Sequence, residues 1–202
     1  QNGAVLRDRS SGFRKPFKKS RFEMSYPDGL FGCTKDGEDQ DDADADLLRR
    51  AWWRGHAGQV TYTGWDTSHA ALCELWERER FDGIIGFSQG AAAAAMLCAE
   101  LRPRFGIFVA GFVPNDQTAA AALLAGVDAG VPTLHVLGAA DELVAPERSM
   151  ALAELFEGST VLTHPGGHMI PSSPTVRAQV VTFVEGALAE CREPGAECTV
   201  SK

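Results

Sequence analysis

Short apolar runs alternate with helix-like patterns along most of the chain. Asp82 to Phe87 (Asp-Gly-Ile-Ile-Gly-Phe), Gly106 to Phe112, Pro132 to Leu137 and Thr160 to Thr163 each read as a brief, largely apolar strand. Between and around them lie helical stretches. Ser68 to Arg80 places Leu72, Leu75 and Trp76 on one face, with Thr67 or Ser68 available as cap. Gln89 to Leu101, Asp116 to Leu124 and Pro146 to Phe156 follow. A last helix starts at Ser173-Pro174, with serine as cap and proline in the first turn, and runs to about Glu190. Nearer the start, Arg21 to Ser25 is predicted as a strand ending at the turn Tyr26-Pro27-Asp28-Gly29. Strand and helix in strict succession predict an α/β fold: right-handed crossovers and a mostly parallel central sheet with helices on both faces. Residues 1–190 are expected to form one domain, with a variable segment at about 30–66, and residues 191–202 a polar tail.

Composition narrows the function classes. The chain has 202 residues, 45% hydrophobic and 23% charged, so it can bury a sizeable core without a disulfide or metal staple. A formal net charge of −8 argues against a nucleic-acid or anionic-membrane partner. No apolar run approaches the roughly 18 residues of a membrane span; Ala91 to Cys98 is the longest run of small apolar residues. Five cysteines (Cys33, Cys73, Cys98, Cys191, Cys198) include no C-x-x-C pair. Reduced thiols in a cytosol-like compartment are therefore expected, which places the protein in the cytoplasm or nucleus. Charge is uneven. Residues 1–21 hold seven basic side chains against Asp8, and residues 22–46 hold nine acidic ones against Lys35. The basic part reads as a solvated helix face, and Asp36 to Asp46 as a surface loop without the residue order of a calcium site.

Chemistry in such folds gathers at the carboxyl ends of the strands. There Gly86-Phe87-Ser88-Gln89-Gly90 is a G-x-S-x-G between strand and helix. The pattern suits a nucleophile on a sharp turn: glycines on either side avoid collisions, and the helix that follows offers free amides, including that of Gln89, to an oxyanion. Serine needs a base, and the base a carboxylate, in the order Ser, Asp or Glu, His. Gly138-Ala139-Ala140-Asp141-Glu142 follows one strand and His164-Pro165-Gly166-Gly167-His168 the next. Asp141 is preferred over Glu142 because it sits directly after a small-residue turn. His168 is preferred over His164, which ends a strand, and over His56, His69 and His135, which precede the serine or lie within a strand. Trp52, Trp53 and Trp65 offer apolar walls for an acyl or alkyl chain, and Phe87 and Gln89, which flank the nucleophile, are expected to line the same pocket; core packing is the competing reading for each tryptophan.

These residues resemble the FSH-type serine hydrolases of the α/β-hydrolase superfamily, a family that includes the ovarian-cancer-associated esterase and thioesterases releasing fungal polyketides. The resemblance runs from Gln1-Asn2-Gly3 to about Leu188. It passes through Trp52-Trp53, Tyr62-x-Gly64-Trp65, the block from Phe81 to Ala92, Gly111-Phe112-Val113-Pro114, the block from Leu134 to Val144 and His164 to Pro171. It implies Ser88 as nucleophile, Asp141 as orienting acid and His168 as base, acting on carboxylic esters or thioesters without a metal or organic cofactor. The family pattern opens with a strand and a Leu-His-Gly-x-x-Gln-Asn-Gly-like stretch, of which this chain carries only Gln1-Asn2-Gly3. That N-terminal strand, missing here, would lie beside the Ser88 strand, and the loop after it supplies a second oxyanion amide. Two further readings are a thioesterase that unloads a carrier protein, docked through residues 1–21, and a non-catalytic binding protein on the hydrolase fold.

Overall fold

A computed structural model describes residues 2–15, 22–33, 49–55, 61–127 and 130–190. In chain order its elements are α1 (Gly3–Arg9), α2 (Ser11–Arg14), β1 (Phe31–Gly32), β2 (Arg50–Ala51), α3 (Trp65–Glu79), β3 (Gly83–Phe87), α4 (Gln89–Leu101), β4 (Phe105–Val109), α5 (Gln117–Gly126), β5 (Thr133–Gly138), α6 (Pro146–Ala153), β6 (Thr160–His164) and α7 (Pro174–Glu190). Strands β3 to β6 form one parallel sheet in sequence order. Its registers include Phe87 opposite Val109 and Gly138 opposite His164. β4 and β5 are buried at every position, as in a parallel sheet covered on both faces, and on β5 this burial includes the polar Thr133 and His135. At the edges the pattern loosens: Ile85 on β3 is 40% exposed and Val161 on β6 39%.

A sheet laid down in sequence order by right-handed crossovers carries all its connecting helices on one face. That face holds the small residues of α4, Leu123 of α5, Leu152 and Phe156 from α6 and the turn after it, and Phe108 of β4. Ala91 to Ala95 expose at most 4% of their surface, and their small side chains let α4 lie close on the strands. The opposite face is covered by α7, whose Val176, Val180 and Val184 recur every four residues, and by Phe13 of α2; both pack on Ile107, Val109, Leu134 and Val136. Both faces therefore carry helices, as predicted. Among the described residues no helix is long and apolar enough to cross a membrane.

Several local expectations shift. Residues 22–25 form no strand; Phe22 and Met24 instead pack against the α7-side core. Helix α3 starts three residues earlier than predicted, at Trp65, after Gly64 with φ +86°. Neither Thr67 nor Ser68 caps it: Ser68 is buried inside the helix and donates to the Trp52 carbonyl at 2.5 Å. The first α5 amides are capped by Asp116, which accepts from Ala119 N at 2.9 Å, and Ser173 accepts from Val176 N at 3.3 Å at the start of α7. The acidic stretch Asp36 to Asp46, Lys18, Lys19, Arg21, His56, Cys191, Cys198 and the tail lie outside the described residues.

His135 of β5 is 1% exposed and sits between Phe108 and Phe156, with ring centroids at 5.1 and 5.5 Å. Burial pulls its pKa down to about 4. The unfolded chain takes up this proton near the ordinary histidine value of about 6.5, so stability is lost as pH falls between the two values. Between about pH 7 and about pH 5.5 this one group should remove about 1 kcal/mol. Urea unfolding of wild type and His135→Met at both pH values checks this: the variant should lose less stability on acidification, and an equal loss in both refutes it.

Candidate active site

The chain must leave β3 and enter α4 within one residue. Ser88 does this at φ 56°, ψ −125°, outside the regions that L-residues prefer. The turn is locked on both sides. Ser88 N donates to Val109 O at 2.9 Å, continuing the ladder, and Ser88 O accepts from Ala91 N at 2.8 Å, opening the helix. A Cβ on Gly86 would lie 2.2 Å from Gly90 O and 2.6 Å from Ala91 Cα, so the approach of helix to strand demands glycine there.

Two more strand ends bring the partners. Asp141 follows β5 and His168 follows β6, and glycine lets the two loops meet. A Cβ on Gly138 would lie 2.4 Å from Gly166 O and 2.6 Å from Gly167 O. Ala139 N donates to His164 O at 2.8 Å and Ala140 N to Gly166 O at 3.2 Å. His164 is buried and accepts the Gly166 N–H at Nδ1, a structural post for this loop; burial lowers its pKa, with Asp141 opposing.

The result is a continuous relay. His168 Nδ1 stands 2.8 Å from Asp141 Oδ2, and His168 Nε2 2.9 Å from Ser88 Oγ. A carboxylate only accepts, so Nδ1–H donates to Asp141, and Nε2 is left to accept from the serine hydroxyl. Burial opposes ionisation of Asp141, yet the Val144 amide, the His168 imidazole and the Leu143 amide outweigh it and hold its carboxyl below the ordinary value. Its Oδ1 takes both amides, at 2.9 and 3.0 Å. The Asp141 side chain is 1% exposed and the His168 side chain 16%. Phe87 lies against the imidazole, ring centroids 4.8 Å apart, and also packs on the α7-side core. The Gln89 amide is in the first turn of α4, where amides have no intrahelical partner.

Trp52 and Trp53 are placed differently from the open walls expected of them, while Trp65 is half-buried. Trp52 is 8% and Trp53 2% exposed, both in the core beneath α4. Trp53 stacks on Tyr62 at 4.9 Å and meets the edge of Trp65 at 5.6 Å, so its faces are occupied and core packing prevails for it. What the sequence reading missed is the side chain of Gln89. Its Oε1 accepts from Trp52 N at 2.9 Å and its Nε2 donates to Trp53 O at 3.1 Å, tying this segment to the residue after Ser88. Exposed Leu143 (72%), two residues after Asp141, and Met169 (48%), directly after His168, were also missed; single apolar residues in loops carry no periodic signal. A cavity of about 390 Å³ bordered by Pro132, Thr160 and Thr182 opens near the amino ends of β5 and β6, away from the relay.

A parallel sheet with a serine elbow at the end of β3 and an acid and a histidine after β5 and β6 describes an α/β-hydrolase. The model of the family "Serine hydrolase (FSH1)" matches residues 1–180, and the chain belongs to that family. Among curated relatives it is similar to the esterase OVCA2 of Danio rerio, 30% identical over 92% of this chain and 92% of that protein. It is also similar to an Aedes aegypti esterase, 28% identical over 91% of this chain and 71% of that one. With the Bos taurus esterase OVCA2 it shares 40% identity over 113 residues, about half of each chain. Among solved structures, Arabidopsis thaliana SOBER1 aligns with TM-score 0.64 and 18% identity over 93% of this chain and 94% of that one. Zea mays acyl-protein thioesterase 2 aligns with TM-score 0.55 and 21% identity over 68% and 72%. Both share the fold.

The elbow's packing gives a direct test. Gly86→Ala should lower stability by about 1–3 kcal/mol or more through overlap with α4, whereas Gly186→Ala on α7, where a Cβ meets nothing within 4 Å, should be neutral or stabilising. Urea midpoints measure both; equal midpoints for wild type and Gly86→Ala would show that α4 can move away.

Proposed function

We propose that this protein hydrolyses carboxylic esters or thioesters of acyl and alkyl chains by two-step acyl transfer, with Ser88 as nucleophile, His168 as base and acid, and Asp141 as the orienting carboxylate. The relay from Ser88 Oγ through His168 to Asp141, at 2.9 and 2.8 Å, carries this reading. In it, His168 Nε2 takes the hydroxyl proton as Oγ bonds to the carbonyl carbon, and the Gln89 amide receives the oxyanion. His168 then passes the proton to the departing alkoxide or thiolate as that bond breaks. Water repeats the cycle and releases the acid. Asp141, held as a carboxylate by two amides, stabilises the imidazolium formed in each step.

Leu143 and Met169 give the rim an apolar character suited to an acyl chain. Phe87 supports the imidazole from below. Trp52 and Trp53 act on the site through their backbone contacts with Gln89, and Trp65 backs Trp53.

Fluorophosphonate labelling and hydrolysis of p-nitrophenyl esters test the reading. Wild type should label and turn over; Ser88→Ala should do neither. Asp141→Asn should keep its fold while losing about 10⁴ in kcat, because the imidazole adopts the wrong tautomer. Labelling that survives Ser88→Ala, or a folded wild type that does not label, overturns the proposal. Parallel rates on matched acyl thioesters assign the preferred leaving group.

A further inference from the structure

Away from the relay, three side chains of different chemistry converge between α3 and α4. His69 and Cys73 are one turn apart on α3, so both face the same side of the helix. Glu100, in the last turn of α4, reaches across to them. His69 Nε2 lies 2.6 Å from Glu100 Oε2 and 3.5 Å from Cys73 Sγ, and the three ligand atoms lie within 4.8 Å of one another.

We propose that His69, Cys73 and Glu100 form a binding site for a borderline-soft divalent cation, zinc above all, that clips α3 to α4. One imidazole nitrogen faces both a sulfur and a carboxylate oxygen. A single ring N–H can satisfy only one of them, whereas a cation satisfies all three. The ligand set, one nitrogen, one sulfur and one oxygen, is that of zinc rather than of calcium or magnesium, which take oxygen alone. The dimensions agree as well. Tetrahedral zinc with bonds of about 2.0 Å to nitrogen and about 2.3 Å to sulfur sets these two atoms about 3.6 Å apart, against the 3.5 Å found. Carboxylate oxygen and imidazole nitrogen would sit about 3.3 Å apart on the same metal. Glu100 must therefore withdraw slightly, and its side chain, 55% exposed, is free to do so.

The surroundings favour a cation. Burial and the charges of Glu100 and Glu77 all oppose a bare thiolate at Cys73; a metal reverses that balance, and the thiol proton leaves to the buffer as the sulfur–metal bond forms. His69 is one-third exposed, which leaves solvent water as the fourth ligand. The Trp65 ring, 5.7 Å from that of His69, shields the other side. Glu100 stands twelve residues along α4 from Ser88, about 18 Å at the helical rise, so the metal is a structural clip and takes no part in hydrolysis.

Cobalt(II) and zinc titrations of the tag-free, chelator-treated full chain decide the matter. Wild type should bind one equivalent of cobalt with a sulfur-to-metal charge-transfer band. Zinc should displace the cobalt and raise Tm by about 5–10 °C at a concentration near 100 Kd. Cys73→Ser should lose the band, and His69→Ala and Glu100→Gln should each weaken zinc binding at least tenfold, while Cys33→Ser and His168→Ala retain both properties. Far-UV circular dichroism establishes that each variant is folded; Glu100→Gln changes an exposed group and keeps the comparison available if another fails to fold. A band that persists in Cys73→Ser, or zinc binding equal in wild type and Glu100→Gln, overturns the site. Ester hydrolysis should be the same with and without chelator, so loss of the metal site and loss of the hydrolase reading are told apart.

Discussion

The single-residue passage from β3 to α4 at Ser88 is the constraint on which the rest of this structure depends. A strand can become a helix so abruptly only if the connecting residue accepts a costly backbone conformation and the helix can then press on the strand it has left. Ser88 takes the first burden, at φ 56°. Gly86 and the run Ala91 to Ala95 meet the second by offering no side-chain bulk at the contact. Ladder bonds from Val109 and the first helical bonds hold the strained residue from both ends. Only because these many weak contacts act together does a hydroxyl stand at the sheet's rim facing an imidazole.

The imidazole is placed by a different device. Nothing in β6 itself points His168 toward Ser88; the loop does so because it rests on the end of β5. Gly138 opens that resting place, His164 holds the Gly166 amide, and Ala139 and Ala140 stitch the two loops by backbone bonds. Asp141 is anchored by amides of its own loop. These amides and the His168 imidazole together hold its charge, and through Asp141 the histidine takes its tautomer and orientation.

Much of this was legible in the residues. The four strands of the parallel sheet and α4 through α7 follow from continuous apolar runs and helical periodicity, because buried parallel strands and amphipathic helices leave those patterns. The nucleophile, acid and base candidates follow from small-residue turns after β3, β5 and β6. Other features were hidden for physical reasons. Residues 22–25 have the apolar spacing of a strand, but Phe22 and Met24 use it to pack against the α7-side core, and periodicity cannot distinguish a strand from an unpaired segment packed on a core. Ser68 looks like a cap, yet its hydroxyl is spent on the Trp52 carbonyl inside the core. The start of α3 is instead set by Gly64, where a Cβ would meet the Phe31 ring at 2.3 Å.

The tryptophan segment shows how core packing can brace the candidate site from a distance. Trp52 and Trp53 follow β2, whose pairing with β1 sets Phe31 opposite Ala51. From there the segment descends into the core, stacked on Tyr62 and braced by Trp65. Its backbone is gripped by Ser68 from α3 and by both ends of the Gln89 amide from α4. The Gln89 side chain thus ties the residue that follows Ser88 to this neighbouring segment, and in the proposed mechanism its backbone N–H is the oxyanion donor. Preorganised donors contribute to catalysis only if they do not relax when charge develops. In the proposed mechanism the buried aromatic cluster steadies the Gln89 donor from a distance, through two backbone hydrogen bonds to its side chain.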